Sequence, residues 1–325
     1  MKKARTVIGI IISLLFLFLA FKNVNFRDIV SIIKKVDISF LIIPIILSCV
    51  GLFQRTLRWG YLLNPQKKEK FFNLFSVLML GYLGNNILPA RMGEVLRIYT
   101  LDKNYGYSKS LTLATIVLEK VFDILALLCF FSIVLFFAPF PSWVKNGGIL
   151  LGIGIIGITA FLYLFTHKKQ EAFRLANFLA SPLPEKAVVK IKEILENFDS
   201  GLRILKKKKD IMIVIVYSVG IWLTEFFFVY LILGSFNLHL SIFAPVFLVI
   251  MLNLGMLIPS SPGYIGTYQV MCIAALSPFG VEKELALSIS IVLHILMLSI
   301  TTVIGMICFW RENLKIKEKG TIPSF

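Results

Sequence analysis

Apolar residues along the chain gather into nine runs, at roughly 6–21, 38–63, 71–89, 111–138, 148–166, 211–234, 243–259, 264–278 and 284–310. Most of them approach or exceed the ~20 residues a helix needs to cross ~30 Å of hydrocarbon. The pattern predicts an all-α polytopic membrane protein. The longest polar stretch, His167 to Asp210, carries a different period: Val188, Ile191, Leu195, Phe198, Leu202 and Leu205 alternate spacings of three and four, which places them on one helical face. Lys186, Lys190, Lys192, Glu193 and Glu196 take the other faces, so 167–210 is expected to be a cytoplasmic amphipathic connection lying on the bundle or on inner headgroups.

Two runs are interrupted by residues that a spanning helix does not tolerate. The third breaks at Gly84–Glu94, GNNILPARMGE, and the following VLRIYTLDKNYGYS is too polar to span. The seventh and eighth are separated by NLGMLIPSSPGYIGTYQ, where Pro259, Pro262, Gly263 and Gly266 forbid a continuous helix. Non-helical backbone at membrane depth survives only where protein or a water-filled cavity surrounds it. Both breaks are therefore expected to line a cavity. Each reads as two apolar residues, a Pro, and a Gly four positions later, Pro89 to Gly93 and Pro259 to Gly263. A chance match and an inverted repeat, with a site at the midplane, are both open.

Composition and charge fix the class and the orientation. The chain is 58% hydrophobic and 16% charged, outside soluble-domain usage. Its net charge of +16 sits at the ends of apolar runs: at the N-terminus, at Arg55–Lys70, in 167–210 and after Arg311. That placement marks loops facing anionic lipid at the inner leaflet, rather than a nucleic-acid surface. Nine full crossings would put the 167–210 stretch and the C-terminus outside. Parity is restored by six full crossings and two re-entrant hairpins of opposite orientation, the third run entering from inside and the seventh and eighth from outside. Both termini are then cytoplasmic, in a single integral domain over 1–325 in the cell membrane. The run Val7–Phe21 carries no cleavage signal and is expected to be a retained helix. Cys49, Cys129, Cys272 and Cys308 lack paired spacing, and no Walker loop, zincin motif or dinucleotide fingerprint occurs, so neither metal nor cofactor is expected.

Ionisable residues within spans cost a few kcal/mol and face the bundle interior with partners. Here five cations (Arg55, Arg58, Arg91, Arg97, Lys120) and four anions (Glu94, Glu119, Asp123, Glu225) cluster near or within the runs. Glu119 and Asp123 are four apart on one helical face, about 6 Å from each other, and need cations or a proton between them. Arg91 and Arg97 are the expected partners. An Arg fork and broken helix ends suit a phosphate-bearing headgroup; pairs that merely lock the hairpin are the alternative. Glu225 calls for a partner or a proton, with Ser260, Ser261, Tyr264, Thr267 or Gln269 in view. His294, mid-depth in the last run, is either a hydrogen-bonded packing residue or a proton relay. Gly148 and Gly152 suggest a close helix-packing face.

Three pieces of sequence carry a resemblance: Asn86-x-x-Pro89-x-Arg91-x-Gly93-Glu94-x-x-Arg97, Glu119-x-x-x-Asp123, and Pro259-x-x-Pro262-Gly263-x-x-Gly266. With them the chain resembles the lysylphosphatidylglycerol synthase transmembrane-region family, the flippase-like domain proteins, over roughly residues 5–312. The resemblance implies a lipid-handling fold that moves a headgroup between leaflets. On that reading Asn86, Arg91, Glu94, Arg97, Glu119 and Asp123 form the headgroup site, Pro89, Gly93, Pro259, Pro262, Gly263 and Gly266 form gating hairpins, and Glu225, Ser260, Gln269 and His294 form a second polar site. The lipid is phosphate-bearing, an aminoacylated phosphatidylglycerol or a polyprenyl-linked one. Partners are anionic or phosphate-bearing lipids and a lipid-modifying synthase or glycosyltransferase. A membrane-embedded aminoacyl- or glycosyltransferase is the alternative, as is a non-catalytic partner of such an enzyme. Where the family often has Glu, this chain has Gln269, and no counterpart of the synthases' soluble tRNA-dependent transferase domain is expected in 1–325.

Overall fold

A computed structural model describes residues 2–22, 24–63, 69–88, 91–137, 208–258 and 260–318, with scattered positions between 142 and 174. The amphipathic stretch 188–205, Gly148, Pro89 and Pro259 lie outside the described residues. Among those described there is no strand. The helices are α1 (Lys2–Phe21), α2 (Phe26–Lys34), α3 (Ile42–Leu63), α4 (Phe71–Ile87), α5 (Gly93–Tyr105), α6 (Lys109–Phe137), α7 (Lys208–Ser235), α8 (Phe243–Gly255), α9 (Thr267–Leu276) and α10 (Lys283–Glu318).

Four stretches among the described residues are long and apolar enough to cross a membrane: Ser39–Leu63, Lys109–Phe137, Lys208–Ser235 and Lys283–Asn313. Ile11–Phe21, Phe71–Ile87 and Phe243–Gly255 are shorter apolar helices. Large apolar side chains such as Phe136, Ile307 and Trp310 remain on the surface. Helices that stay apolar on their outer faces are covered by lipid, and the chain is an integral membrane protein.

The two interrupted runs fold as helical hairpins, and their neighbours show how each is placed. At the feet of the first, Phe72 O and Asn73 Oδ1 accept from the Arg311 guanidinium, while Asn104 and Tyr105 donate to the Glu312 carboxylate. Both feet thus stand beside the C-terminal part of α10. At the feet of the second, Phe243 stacks on Phe137 at the end of α6 (6.1 Å), and α9 leads through a tight turn into the start of α10. The hairpins therefore stand on opposite ends of α10 and point toward each other.

Their tips meet near the middle of α10. Arg91 donates to the Met256 carbonyl, and the Asn86 carboxamide donates to Thr301 and Thr302 (2.9 and 3.0 Å). The first hairpin closes on glycine: a Cβ on Gly93 would lie 1.8 Å from the Gly81 carbonyl oxygen, so nothing larger fits. Asn85 Oδ1 accepts the Gly93 N–H (2.9 Å), satisfying one of the free donors at the start of α5. The second tip needs left-handed backbone, with φ of +68° at Gly263 and +88° at Gly266. α1 seals that tip from outside: Ser13 Oγ accepts the Ser261 N–H (2.7 Å), and its carbonyl leaves no room for a Cβ on Gly266.

Gly93→Ala is expected to cost about 1–3 kcal/mol through overpacking at the hairpin. Thermal unfolding in detergent checks this, with Gly234→Ala, which meets nothing within 4 Å, as the unaffected reference.

Candidate functional site

α3 presents Arg55 and Arg58 at a spacing of three, and α6 presents Glu119 and Asp123 at a spacing of four, so each helix offers two charges on one face. Where these faces meet, Arg58 grips Asp123 through both terminal nitrogens (2.6 and 3.1 Å) and also donates to Ser218 of α7 (2.9 Å). Its second carboxylate neighbour is Glu119 (4.0 Å). Glu119 in turn accepts from Arg97 of α5 at 2.8 Å. The Arg97 guanidinium lies over the Trp59 ring (4.0 Å), and Trp59 donates to Thr115 (3.1 Å). The glycine at 81 makes room for the Arg97 stem, since a Cβ there would meet Arg97 Cδ at 2.6 Å.

This chain of charges is buried: side-chain exposure is 2% for Arg58, 8% for Arg97 and 6% for Glu119. Removing one member would strand a buried charge, so the network holds α3, α5, α6 and α7 in one relative position. It leaves Arg58 Nε and Arg97 Nε without partners. Two further pairs lie outside it. Lys120 faces Glu94 at 3.7 Å on an exposed rim, where an ion pair contributes little. Arg55 reaches Glu225 of α7 at 3.2 Å and covers the Trp222 ring (5.3 Å).

Of the five cations, Arg91 alone has no carboxylate within ion-pair distance among the described residues. Its backbone is left-handed (φ +54°), its guanidinium donates to Met256 O, and its charge faces the Tyr264 ring at 5.8 Å. Next to it, between α3, α7, α8, α9 and α10, lies a cavity of about 50 Å³. Ser48, Thr224, Glu225, Asn253 and Met256 are among its lining residues.

At the second tip, Gln269 Oε1 accepts the Gly266 N–H (2.7 Å), and the Gln269 amide bonds His294 Nδ1 (3.1 Å). His294 Nε2 bonds the Gly263 carbonyl (2.7 Å), and the ring stacks on Tyr268 (4.4 Å). One proton on Nε2 satisfies every one of these bonds. His294 thus ties the left-handed tip to α10. Pro262 opens the single turn Pro262–Tyr264, and the Ser260 hydroxyl is buried without a partner. Among the described residues no cluster of three His, Cys, Asp or Glu could hold a metal ion.

Two pairings differ from the sequence expectation. Asp123 goes to Arg58, and Arg91 serves neither acidic residue, because α3 packs against both α6 and α7 while Arg91 sits out at the tip. Glu225 meets Arg55 rather than a side chain of the second hairpin, because α3 packs along α7, as the Gln54–Thr224 bond (3.1 Å) one position earlier on both helices shows. Arg55 and Arg58 were visible only as charges; their spacing of three was the signal that both serve one face.

A model of the lysylphosphatidylglycerol synthase TM region matches residues 6–305. Among relatives, a UPF0104 membrane protein of Pyrococcus horikoshii is 24% identical over 87% of this chain and 90% of its own length. Another, from Methanocaldococcus jannaschii, is 29% identical over 72% of this chain and 96% of its own. The glycosyltransferase AglD of Haloferax volcanii is 20% identical over 94% of this chain but only 54% of its own length.

A double-mutant cycle tests the buried network. Arg97→Gln and Glu119→Gln are each expected to cost about 3–5 kcal/mol, and the double variant less than their sum. Unfolding in denaturing detergent measures all three; strict additivity would show that the two groups do not interact.

Proposed function

The chain belongs to the lysylphosphatidylglycerol synthase transmembrane-region family, and from that premise we propose that it moves a phosphate-bearing lipid headgroup between leaflets. Arg91 carries this assignment. Every other cation of the charge layer has a carboxylate among the described residues, whereas Arg91 holds only a carbonyl and an aromatic face, at the junction of the two hairpin tips. A phosphate oxygen is a stronger partner for a guanidinium than a peptide carbonyl. The headgroup takes the place of Met256 O on Arg91, and the contact between the tips opens.

In this scheme the hairpins are re-entrant and enter from opposite faces, with six full crossings, both termini cytoplasmic, and the chain acting as one domain in the cell membrane. The positive charge at both ends and in 167–210, and hairpin feet at opposite ends of α10, support that topology. Arg97, Glu119 and Asp123 act as the fixed wall of the site, with Glu94 and Asn86 beside the moving tip. Discontinuous helices meeting at mid-depth are how many transporters build a central site. The resemblance makes aminoacylated phosphatidylglycerol the first lipid to try, with a polyprenyl-linked phosphate beside it.

The match to AglD supports a second reading, in which this fold serves as the membrane half of a lipid-modifying transferase or as the partner of one. Incubating the purified chain with a lipid acceptor and an activated donor separates the two, since only the transferase reading expects product.

The transport reading is tested in liposomes that hold the purified protein and headgroup-labelled phosphatidylglycerol or polyprenyl phosphate. Arg91→Ala is expected to slow transfer between leaflets by about tenfold or more, the loss of one charge-assisted bond. Equal transfer by the original chain and the variant would overturn the assignment.

A further inference from the structure

The cavity beside the tips has a titratable wall that the headgroup assignment leaves unused. Glu119 and Asp123 are each clamped by guanidinium groups, with side chains only 6% and 14% exposed. Glu225 differs on both counts: only one oxygen, Oε2, meets Arg55, at 3.2 Å, and its side chain is 35% exposed. It lines the 50 Å³ cavity, which is large enough for water and offers Ser48, Thr224 and Asn253 to hold it. Met256 lines the same cavity, and its carbonyl is the acceptor that Arg91 must leave.

We propose that Glu225 is a proton site linked to the headgroup site: its carboxylate takes up a proton from cavity water when an anionic headgroup occupies Arg91, and returns it when the headgroup leaves. This inference rests on the headgroup assignment above. The linkage is electrostatic. A phosphate arriving at Arg91 brings negative charge beside the cavity that Met256 and Glu225 line, and a proton on Glu225 removes the repulsion. Arg55 keeps the Trp222 face when its carboxylate is neutralised.

The other charged and titratable groups packed around Glu225 do not take its place. Arg55 on α3 is the fixed countercharge, and Asp123 on α6 is gripped bidentately by Arg58. Tyr268 on α9 lines the cavity but has an aromatic hydroxyl that titrates in a higher range. His294 on α10 has both ring nitrogens bonded, to Gln269 and to Gly263. α8 contributes Asn253 and Met256, which do not titrate.

The probe is dihexanoyl phosphatidylglycerol, a phosphodiester whose own charge is constant across the working range. It is titrated calorimetrically into the detergent-purified full chain, in sodium-free buffers of different ionisation enthalpy. The original chain is expected to take up protons on binding and to bind about fivefold or more tightly at pH 5.5 than at pH 8.0, the lower end of ordinary linkage. Glu225→Gln should bind with no proton uptake and a flat pH profile. Glu225→Asp should restore both, and Arg55→Gln/Glu225→Gln, which strands no charge, should behave as Glu225→Gln does. Binding by the original chain without proton uptake, or uptake that survives Glu225→Gln, overturns the inference while leaving the headgroup site standing. No binding by the original chain overturns both.

Discussion

Burying charge where water is scarce is the constraint on which this structure turns. Arg58, Asp123, Glu119 and Arg97 lie inside the bundle with their charges paired to one another, so removing any one strands another. Four helices are thereby held in register by groups that apolar packing alone would not align. Lipid is as apolar as leucine, so burial gives weak direction to helices within a membrane. The directional bonds of the guanidinium forks supply what burial does not. The hairpin α4–α5 can be short, and can end in an irregular tip, because Arg97 anchors its returning arm.

Against that fixed wall, the two tips are held by lighter means. Asn85, Asn86, Gln269 and His294 use neutral hydrogen bonds, and Arg91 uses a peptide carbonyl. Neutral bonds exchange more easily than buried ion pairs. The division of labour follows position: charged pairs join the helices of the bundle, and neutral contacts join the tips.

Much of this was legible in the residues themselves. Apolar runs declared the membrane, Pro259, Pro262 and the glycines declared the breaks, and the nine charges declared a polar layer. The pairings were not legible. Whether Asp123 meets Arg91 or Arg58 depends on which helix packs against the acidic face of α6, and no periodicity records that neighbour. Arg91 and Arg97 sit six residues apart in one motif yet have opposite fates, because α5 carries Arg97 down beside Gly81 while Arg91 stays on the turn. Glu225 found its partner through the packing of α3 along α7, a relation between segments 170 residues apart.

Two hairpins that stand on opposite ends of α10 and meet at their tips also shape the electric field. Where water fills the space behind either tip, the membrane voltage falls across the short stretch of protein at Arg91 and Met256 rather than across the full hydrocarbon thickness. A charge passing that septum feels nearly the whole potential, about 2.3 kcal/mol per 100 mV, within a step of a few ångströms. On the proposed transport, a charged headgroup crosses most of the potential in that single step, so the voltage dependence of its transfer reads the share of the field that the septum carries.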